Sequence, residues 1–461
     1  MKKTNRLFLV MLTLVLSVNL FSIGAAAQTN LSLAQAKSYI AEEDIDFFDG
    51  TAILDFNGEE EIGKTLLSFF SSYFKILETG DISDYKNETD VNFYLFTKHL
   101  EYTHDFYEVF YQGIEDTSIG QLLIKEATHA GDEIHAAAYV AVKYIYNGTA
   151  ENSMGNLFFV TLSNGAVTAL DTVSVETQLV KDKINTTFSA RSTNIYEADF
   201  ETTKSAIDGL FAEKKQNLAK EKAVSDARLT GKSTVDEDAN TFDAISVQPR
   251  ASVSYNATSA LTYGYAFGDR NQNYIFKRMS LDCTNFVSQC VWAGYGGTDG
   301  YDIFDIPVAN GETNATAVAL KARVANDYRQ VPGTSGWWGL NYDSSLSNPP
   351  TSFCGVAEFC DWVRSNTGNG PRATVYNDEQ VYSNLSTTIR GGDVLQFYAN
   401  GRWYHSVIVV SLEDYSVSEY QSVLVAQHSD NHYNRPLSEV IDGFGGSSCK
   451  MRLLRFGSTT F

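Results

Sequence analysis

The sequence predicts an α+β protein built from two units, and three observations carry this prediction. An amphipathic stretch from Glu60 to Thr79 is followed by several short runs rich in β-branched and aromatic residues. A second helical apolar period begins at Cys283 and is also followed by strand-like runs. Between the two regions, residues 216–252 are charged and polar, with few large apolar side chains, which is typical of a linker. We therefore expect an N-terminal α+β module at residues 28–215 and a second domain at residues 253–461.

The first 27 residues have the three parts of an export signal. Basic residues come first, an apolar segment runs from Leu7 to Phe21, and a group of alanines ends at Ala27. Because the apolar segment is short for a membrane span, we expect residues 1–27 to be a signal peptide that is cleaved after Ala27. No later segment of the sequence is long and apolar enough to cross a bilayer. The sequence therefore predicts a secreted protein, extracellular or associated with the cell surface, with no stable membrane span after cleavage.

Charge and cysteine content narrow the function further. The chain has 461 residues and a formal net charge of −21, so long-range attraction to nucleic acid is excluded. All five cysteines lie in the second half, and an odd number leaves at least one without a partner in the chain. A secreted protein stapled by disulfides would have cysteines more densely and more evenly placed. The sequence leaves the disulfide pairing open.

The N-terminal module combines an early helix with strands. The predicted strands are Asn92–Thr97, His135–Tyr146, Asn156–Leu162 and Ala166–Val173. Asn147-Gly148, between two of these runs, is a hairpin turn signal. A helix followed by an antiparallel meander resembles the nuclear-transport-factor-like folds in pattern. For this half of the chain we expect a scaffold or binding role without chemistry.

Cys283 is the first candidate for chemistry. Positions 283, 286, 287, 290 and 291 form an apolar stripe at helical spacing, and Asp282 directly before it is a plausible N-cap. A cysteine in the first turn of a helix lies at the positive end of the helix dipole, which favours the thiolate over the thiol. The alternative is that Cys283 is only the first buried residue of the stripe.

Two histidines in the second domain can supply a base. His405 opens one strand-like run and His428 closes another. If these runs pair antiparallel with position 411 opposite position 422, His405 lies directly opposite His428. One imidazole can then act as the base, while the other, or Asp430 or Asn431 just beyond the strand, orients it. The alternative is that each histidine merely ends a strand at the surface.

A metal site is the competing interpretation of the same segment. His428 and His432 have the spacing that places two imidazoles on one face of a helix. Here the first histidine ends a strand, and the intervening Asp and Asn favour a turn. The sequence therefore predicts neither a metal nor any other cofactor.

The motifs of the second domain resemble a known family. The run from Asp282 to Gln289, the run Gly392-Asp393-Val394 before His405, and the run from Ala426 to Ser429 are similar to the bacterial putative amidase domain. That family is in turn similar to the papain-like NlpC-type and CHAP cell-wall amidohydrolases. The resemblance covers about residues 254–443 and leaves the first 250 residues untouched.

The resemblance implies a papain-like fold and a Cys–His hydrolase of amide bonds. Cys283 would be the nucleophile, His405 the base, and His428 or Asn431 the orienting group. An oxyanion hole would use the backbone N–H of Cys283 and an upstream donor. The candidates for that donor are Asn273 and Tyr274.

Two aromatic residues complete the set of candidates. Trp338 and Trp403 stand beside turn residues and could line a substrate groove, although ordinary packing of large aromatics explains them equally well. The predicted function is that of a secreted cysteine amidase or peptidase acting on peptide-type amide bonds, with peptidoglycan stem peptides as a candidate substrate. The alternative is a non-catalytic extracellular binding protein on a papain-like scaffold.

Overall fold

The protein combines helices with sheets, as the sequence predicts. The computed structural model describes residues 52–85, 90–148, 150–172, 174–189, 199–230, 252–270, 275–279, 282–306, 313–331, 336–340, 349–376, 388–411 and 417–461. The predicted signal peptide lies outside these ranges. Over these ranges the chain is α+β, with two large sheets that are each covered by helices. None of the helices in the described ranges has the length and apolar character needed to span a bilayer.

The first sheet has five strands and two layers of helices beside it. Its strand order follows the chain, with β1 parallel to β2 and every other neighbouring pair antiparallel. The strands are β1 (Ile53–Asp55), β2 (Ile114–Ala130), β3 (Glu133–Tyr146), β4 (Ala150–Ser163) and β5 (Ala166–Thr172). The helices are α1 (Glu60–Tyr73), α2 (Ile76–Thr79), α3 (Val91–Tyr111), α4 (Val175–Ser189) and α5 (Phe200–Thr230).

The structure confirms some of the predicted elements of this module and corrects others. The hairpin turn at Asn147 and Gly148 joins β3 to β4, and both residues have positive φ. The strand predicted at Asn92–Thr97 is wrong, because this segment lies in helix α3. The Asp90 carboxylate accepts a hydrogen bond from the Phe93 N–H (2.8 Å) and caps the helix. Strand β2, which three register shifts interrupt, was not predicted.

Helix α5 extends past the point where the linker was predicted to begin. It runs without interruption from Phe200 to Thr230, and its side chains contact α3. Lys215 bridges to Asp105 (2.8 Å), and the Tyr94 hydroxyl donates to Asp208 (2.6 Å). Residues 216–230 of the predicted linker are therefore helical, and residues 231–251 lie outside the described residues.

The second sheet carries the sequence motifs. Its six strands have the order β11-β10-β9-β8-β12-β7, with antiparallel neighbours. The strands are β7 (Ala373–Tyr376), β8 (Val394–Ala399), β9 (Arg402–Val409), β10 (Leu424–Gln427), β11 (His432–Pro436) and β12 (Lys450–Phe456), and a separate pair joins β6 (Ser252–Val253) to β13 (Thr459–Thr460). The helices are α6 (Ala257–Phe267), α7 (Cys283–Gly294), α8 (Ala315–Ala325), α9 (Thr351–Cys354), α10 (Val356–Ser365) and α11 (Leu437–Gly443).

The two faces of this second sheet belong to different cores. Ile408 and Val410 pack with residues of α6, α7 and α10 on one face. Val407 and Val409 pack on the other face with residues of α11 and with Leu179 of helix α4. Because successive side chains of a strand point to opposite faces, these clusters fix the direction of every side chain along β9. The N-terminal module thus contributes a helix to the second face.

Polar contacts join the two halves of the chain. Gly155 on β4 and Asn431 exchange two backbone hydrogen bonds of 2.9 Å, which links the edges of the two sheets. The Tyr107 hydroxyl donates to Glu439 (2.6 Å) in the buried interface. Arg435 is also buried there and pairs with Glu176 at the start of α4 and with Glu439 (3.0 Å). The surface of the C-terminal domain that carries β11 is therefore covered by the N-terminal module.

Candidate active site

Cys283 is the first residue of helix α7, as the sequence predicts. Only 6% of the Cys283 surface is exposed, and every residue of α7 is buried. Other parts of the protein therefore surround the helix on all sides. Asp282 stands at the N-cap position, but its side chain makes no cap hydrogen bond. The helix therefore begins where the sequence predicts, with Asp282 at the N-cap position but without a capping hydrogen bond to its side chain.

The Cys283 sulfur lies against hydrogen-bond donors of two elements. Burial raises the pKa of the thiol, and the nearby Asp282 carboxylate raises it further. Hydrogen bonds from the backbone of Ser406 and from the side chain and backbone of Thr284 act in the opposite direction. The Thr284 hydroxyl is 3.8 Å from the sulfur. These donors stabilise negative charge on the sulfur once a base has removed the proton.

A chain of buried hydrogen bonds holds these donors in place. The Thr284 and Ser406 hydroxyl oxygens are 2.9 Å apart, which ties α7 to strand β9. The Gln396 amide on β8 donates to the Ser406 hydroxyl (3.1 Å), and Arg452 on β12 donates to the Gln396 oxygen (2.7 Å). The position of Cys283 is therefore coupled to three strands of the sheet.

The register of β9 and β10 differs from the predicted one. Val409 pairs with Val425 and Ile408 with Ala426, a shift of one residue from the pairing that places His405 opposite His428. A shift of one residue moves a side chain to the other face of a sheet. The prediction that the two imidazoles lie side by side is therefore wrong, since they face opposite sides. The continuous apolar run of β9 has no alternation from which the register could be predicted.

His405 lies on the face away from α7. Its ring stacks on Phe444 with a centroid distance of 5.6 Å, and within the described part of the chain neither ring nitrogen has a hydrogen-bond partner. It follows that no hydrogen bond joins His405 to Cys283 in this structure. Burial lowers the pKa of His405 to about 4, so the ring is neutral near pH 7. A neutral imidazole with unoccupied nitrogens has the protonation state that a general base requires.

His428 lies on the same face as α7 and is fully engaged. Its Nδ1 is 2.6 Å from an oxygen of Asp282, and its Nε2 is 2.8 Å from the Phe267 carbonyl oxygen. The ring also stacks on Phe286 at 4.0 Å with an angle of 14° between the planes. With both nitrogens occupied, His428 does not orient His405 in this structure.

Asn431 is also occupied away from His405. Its side-chain amide donates to the Arg270 carbonyl oxygen (2.9 Å) and to the Tyr139 hydroxyl (3.3 Å), and its oxygen accepts from the Ser429 N–H (3.1 Å). These bonds place it at the junction with the N-terminal module. The structure therefore separates His428 and Asn431 from His405.

Gln427 is the polar neighbour of His405 that sequence reasoning missed. Its side chain faces the imidazole and favours the protonated form, although the two groups do not form a well-aligned hydrogen bond. Its amide nitrogen donates to the Asp430 carbonyl oxygen (2.9 Å), which holds the side chain in place. The sequence could have indicated Gln427, because it directly precedes His428 in the motif. The predicted register, however, placed His428 next to His405 instead.

The remaining candidates are half-buried aromatic residues or lie outside the described residues. Asn273 and Tyr274 belong to the second group. Trp338 is half-buried, and Trp403 is half-buried with the Arg452 guanidinium 3.9 Å from the centre of its ring. In the ranges that the structure describes, no group of three or more His, Cys, Asp or Glu side chains could hold a metal ion. The five cysteines are all free.

The second domain matches one known family. Residues 254–452 match the family model described as putative amidase domain. The match confirms the resemblance found in the motifs and supports a hydrolase of the amidase type. The N-terminal module lies outside the matched range. No curated protein and no solved structure gave a significant match to the chain.

Proposed function

We propose that this protein is a secreted cysteine amidase or peptidase that hydrolyses peptide-type amide bonds through a thioester on Cys283. The observation that carries the proposal is the position of Cys283 within the matched domain. It is the first residue of a buried helix, the Thr284 hydroxyl lies 3.8 Å from its sulfur, and backbone hydrogen bonds from Ser406 and Thr284 lower the pKa of its thiol. We assign the domain to the papain-like group, since its nucleophile begins a helix that packs on an antiparallel sheet.

His405 is the base in this proposal, because its ring nitrogens are free while those of His428 are occupied. His405 takes the thiol proton as the sulfur attacks the amide carbon. The C–N bond then breaks, and the amine leaves with that proton. Water activated by His405 attacks the thioester, releases the carboxylic acid and restores the thiol.

In this proposal the His405 imidazole must come into contact with the Cys283 thiol before the reaction can begin. Cys283 receives the Ser406 N–H from strand β9, and the His405 side chain leaves the same strand on the opposite face. The ladder between β9 and β10 contains only the pairs at Ile408 and Val409, so the two strands are not paired beside His405. We propose that β9 changes its local conformation beside His405 when substrate binds, so that the imidazole reaches the sulfur, since catalytic hydrogen bonds often tighten only in the substrate complex.

The sequence supports the proposed substrate class and location. The export-signal pattern in residues 1–27 supports secretion. Peptidoglycan stem peptides are the first substrate to test, because the motifs of the domain resemble those of cell-wall amidohydrolases. The net charge of −21 disfavours tight adsorption to an anionic wall, so a diffusible peptide is the second substrate to test. The N-terminal module, with its nuclear-transport-factor-like order of elements, would serve as the scaffold.

A digest of purified peptidoglycan analysed by mass spectrometry tests the proposal. We expect the wild-type protein to release fragments with one amide bond cleaved, and Cys283→Ala to release none. Cys354→Ser is the matched control, since it changes another free, half-buried cysteine of the same domain. Equal fragment release by wild type and Cys283→Ala would contradict the proposal, as would inactivity of the wild-type protein on both stem peptides and diffusible peptides.

A non-catalytic binding protein is the second candidate, and one observation favours it. Cys283 is 6% exposed and makes no hydrogen bond to a histidine. Alkylation with iodoacetamide across the pH range separates the two candidates. An enzyme requires Cys283 to react faster than Cys354 near pH 7, whereas the binding protein predicts that both follow the slope of ordinary buried thiols.

A further inference from the structure

We propose that His428 is a positioning residue, which holds the Asp282 carboxylate away from the first turn of α7 and so leaves the N–H groups of that turn to the Cys283 sulfur. This inference rests on the proposed function, because it concerns the same nucleophile. It gives His428 a role that differs from that of a base or of an orienting group for His405.

Asp282 stands at the N-cap of α7, but its side chain does not cap the helix. An aspartate at this position ordinarily accepts a hydrogen bond from the N–H of the second or third helical residue. Here one carboxylate oxygen accepts instead from the Met279 N–H (2.7 Å) and from the Asn285 side-chain amide (2.7 Å). The other oxygen contacts His428 Nδ1 at 2.6 Å. The carboxylate is therefore turned away from the backbone of α7.

The His428 side chain is held in place from several sides. Its side chain has no exposed surface, it stacks on Phe286, and the Phe267 carbonyl oxygen accepts a hydrogen bond from its Nε2. The backbone also fixes Asp282, since its N–H donates to the Ser429 hydroxyl beside His428 (3.0 Å). The geometry of the pair is therefore set from both sides.

The contact between Asp282 and His428 must contain a proton. A carbonyl oxygen only accepts, so Nε2 must carry a hydrogen. The contact of Nδ1 with Asp282 then requires one more proton, which belongs either to the ring or to the carboxyl group. His428 thus places a hydrogen-bonding partner directly against the Asp282 carboxylate, one residue away from the Cys283 sulfur.

The first turn of α7 is therefore left without a side-chain cap beside Cys283. Backbone hydrogen bonds from Thr284 and Ser406 lower the pKa of the Cys283 thiol. Without His428, the Asp282 carboxylate would lose its partner at Nδ1 and would be free to accept from the N–H groups of α7. Both changes would disfavour the thiolate.

Alkylation of Cys283 by iodoacetamide, followed by mass spectrometry of the labelled peptide, tests this role. We expect His428→Gln to lower the rate at pH 7 about tenfold and to move the pH midpoint of the reaction upward by about one unit. Removal of the unpaired charge should repair the defect, so the double variant Asp282→Asn/His428→Gln should react faster than His428→Gln. A double variant as slow as His428→Gln, or a His428→Gln variant as fast as wild type, would overturn the proposal.

The matched control is His432→Gln, which removes another buried histidine of the same sheet without touching Asp282. We expect this variant to leave the Cys283 alkylation rate unchanged. Equal slowing in His432→Gln and His428→Gln would overturn the proposal, because the effect would then reflect general loss of packing.

A measurement on the wild-type protein covers the case in which His428→Gln does not fold. The chain has seven histidines, so ¹⁵N labelling of histidine gives a spectrum that can be assigned. We expect a low-field proton resonance for the Asp282–His428 contact, and its absence would overturn the proposal. Since neither measurement uses a substrate, a wild-type protein with this resonance but without amidase activity would contradict the proposed function alone.

Discussion

His405 and His428 are carried by one end of the same sheet and are both buried, but their surroundings differ in kind. His428 has a partner at each ring nitrogen and faces helix α7. His405 has no hydrogen-bond partner at either nitrogen among the described residues, and it lies on the face of the sheet that packs against the N-terminal module. The comparison shows that burial alone does not make a histidine structural. Unoccupied nitrogens on a neutral ring leave His405 able to accept a proton, whereas the hydrogen bonds of His428 restrict it to holding Asp282.

The largest effect that follows from this contrast concerns His405. We expect His405→Gln to lower kcat on a peptide amide about a thousandfold, since general-base catalysis contributes roughly 10²–10⁴-fold. Steady-state kinetics on the fragment-releasing substrate measure this change. A His405→Gln variant with more than a tenth of the wild-type kcat would show that another group removes the thiol proton.

Acid stability provides the next test of the contrast. The pKa of His405 is lowered to about 4 in the folded protein, against an ordinary value of 6.5. Between these values the unfolded chain binds the extra proton, so the stability contributed by the neutral ring is complete above 6.5 and is lost as the pH falls. We expect His405→Gln to lose about 2 kcal/mol less free energy of unfolding than wild type between pH 7 and pH 5. Urea unfolding at the two pH values measures the difference, and equal losses in the two proteins would contradict the buried neutral state of His405.

The smallest effect concerns Gln427, the neighbour of His405 on β10. We expect Gln427→Leu to lower kcat about tenfold while KM stays near the wild-type value, because the amide only orients a ring that other groups also hold. Rescue by Gln427→Asn would support an orienting amide. If both substitutions raised KM and left kcat unchanged, Gln427 would instead contact the substrate.

The sequence predicted the surroundings of Cys283 better than those of the two histidines. The apolar period and Asp282 located the start of α7 correctly, because both signals are local. The register of β9 and β10 could not be predicted in the same way. The run from Val407 to Val410 is apolar on both faces, so a shift of one residue has little hydrophobic cost in the sequence pattern.

The N-terminal module shows the same limit. The run Asn92–Thr97 has the aromatic content of a strand, but the Asp90 cap and the packing of α3 between the sheet and α5 make it helical. The sequence also could not predict that α4 packs on the face of the sheet that carries His405. Leu179 and Glu176 are more than 200 residues away from that histidine in sequence, and no local pattern encodes such a contact.

The central claim is that Cys283 carries the acyl group and that His405 activates it. Mass spectrometry of the protein quenched with acid during turnover tests this claim most directly. We predict an acyl adduct on the peptide that contains Cys283 in the wild-type protein, and none in either Cys283→Ala or His405→Gln. Substrate cleavage without an adduct on Cys283, or an undiminished adduct in His405→Gln, would contradict the account.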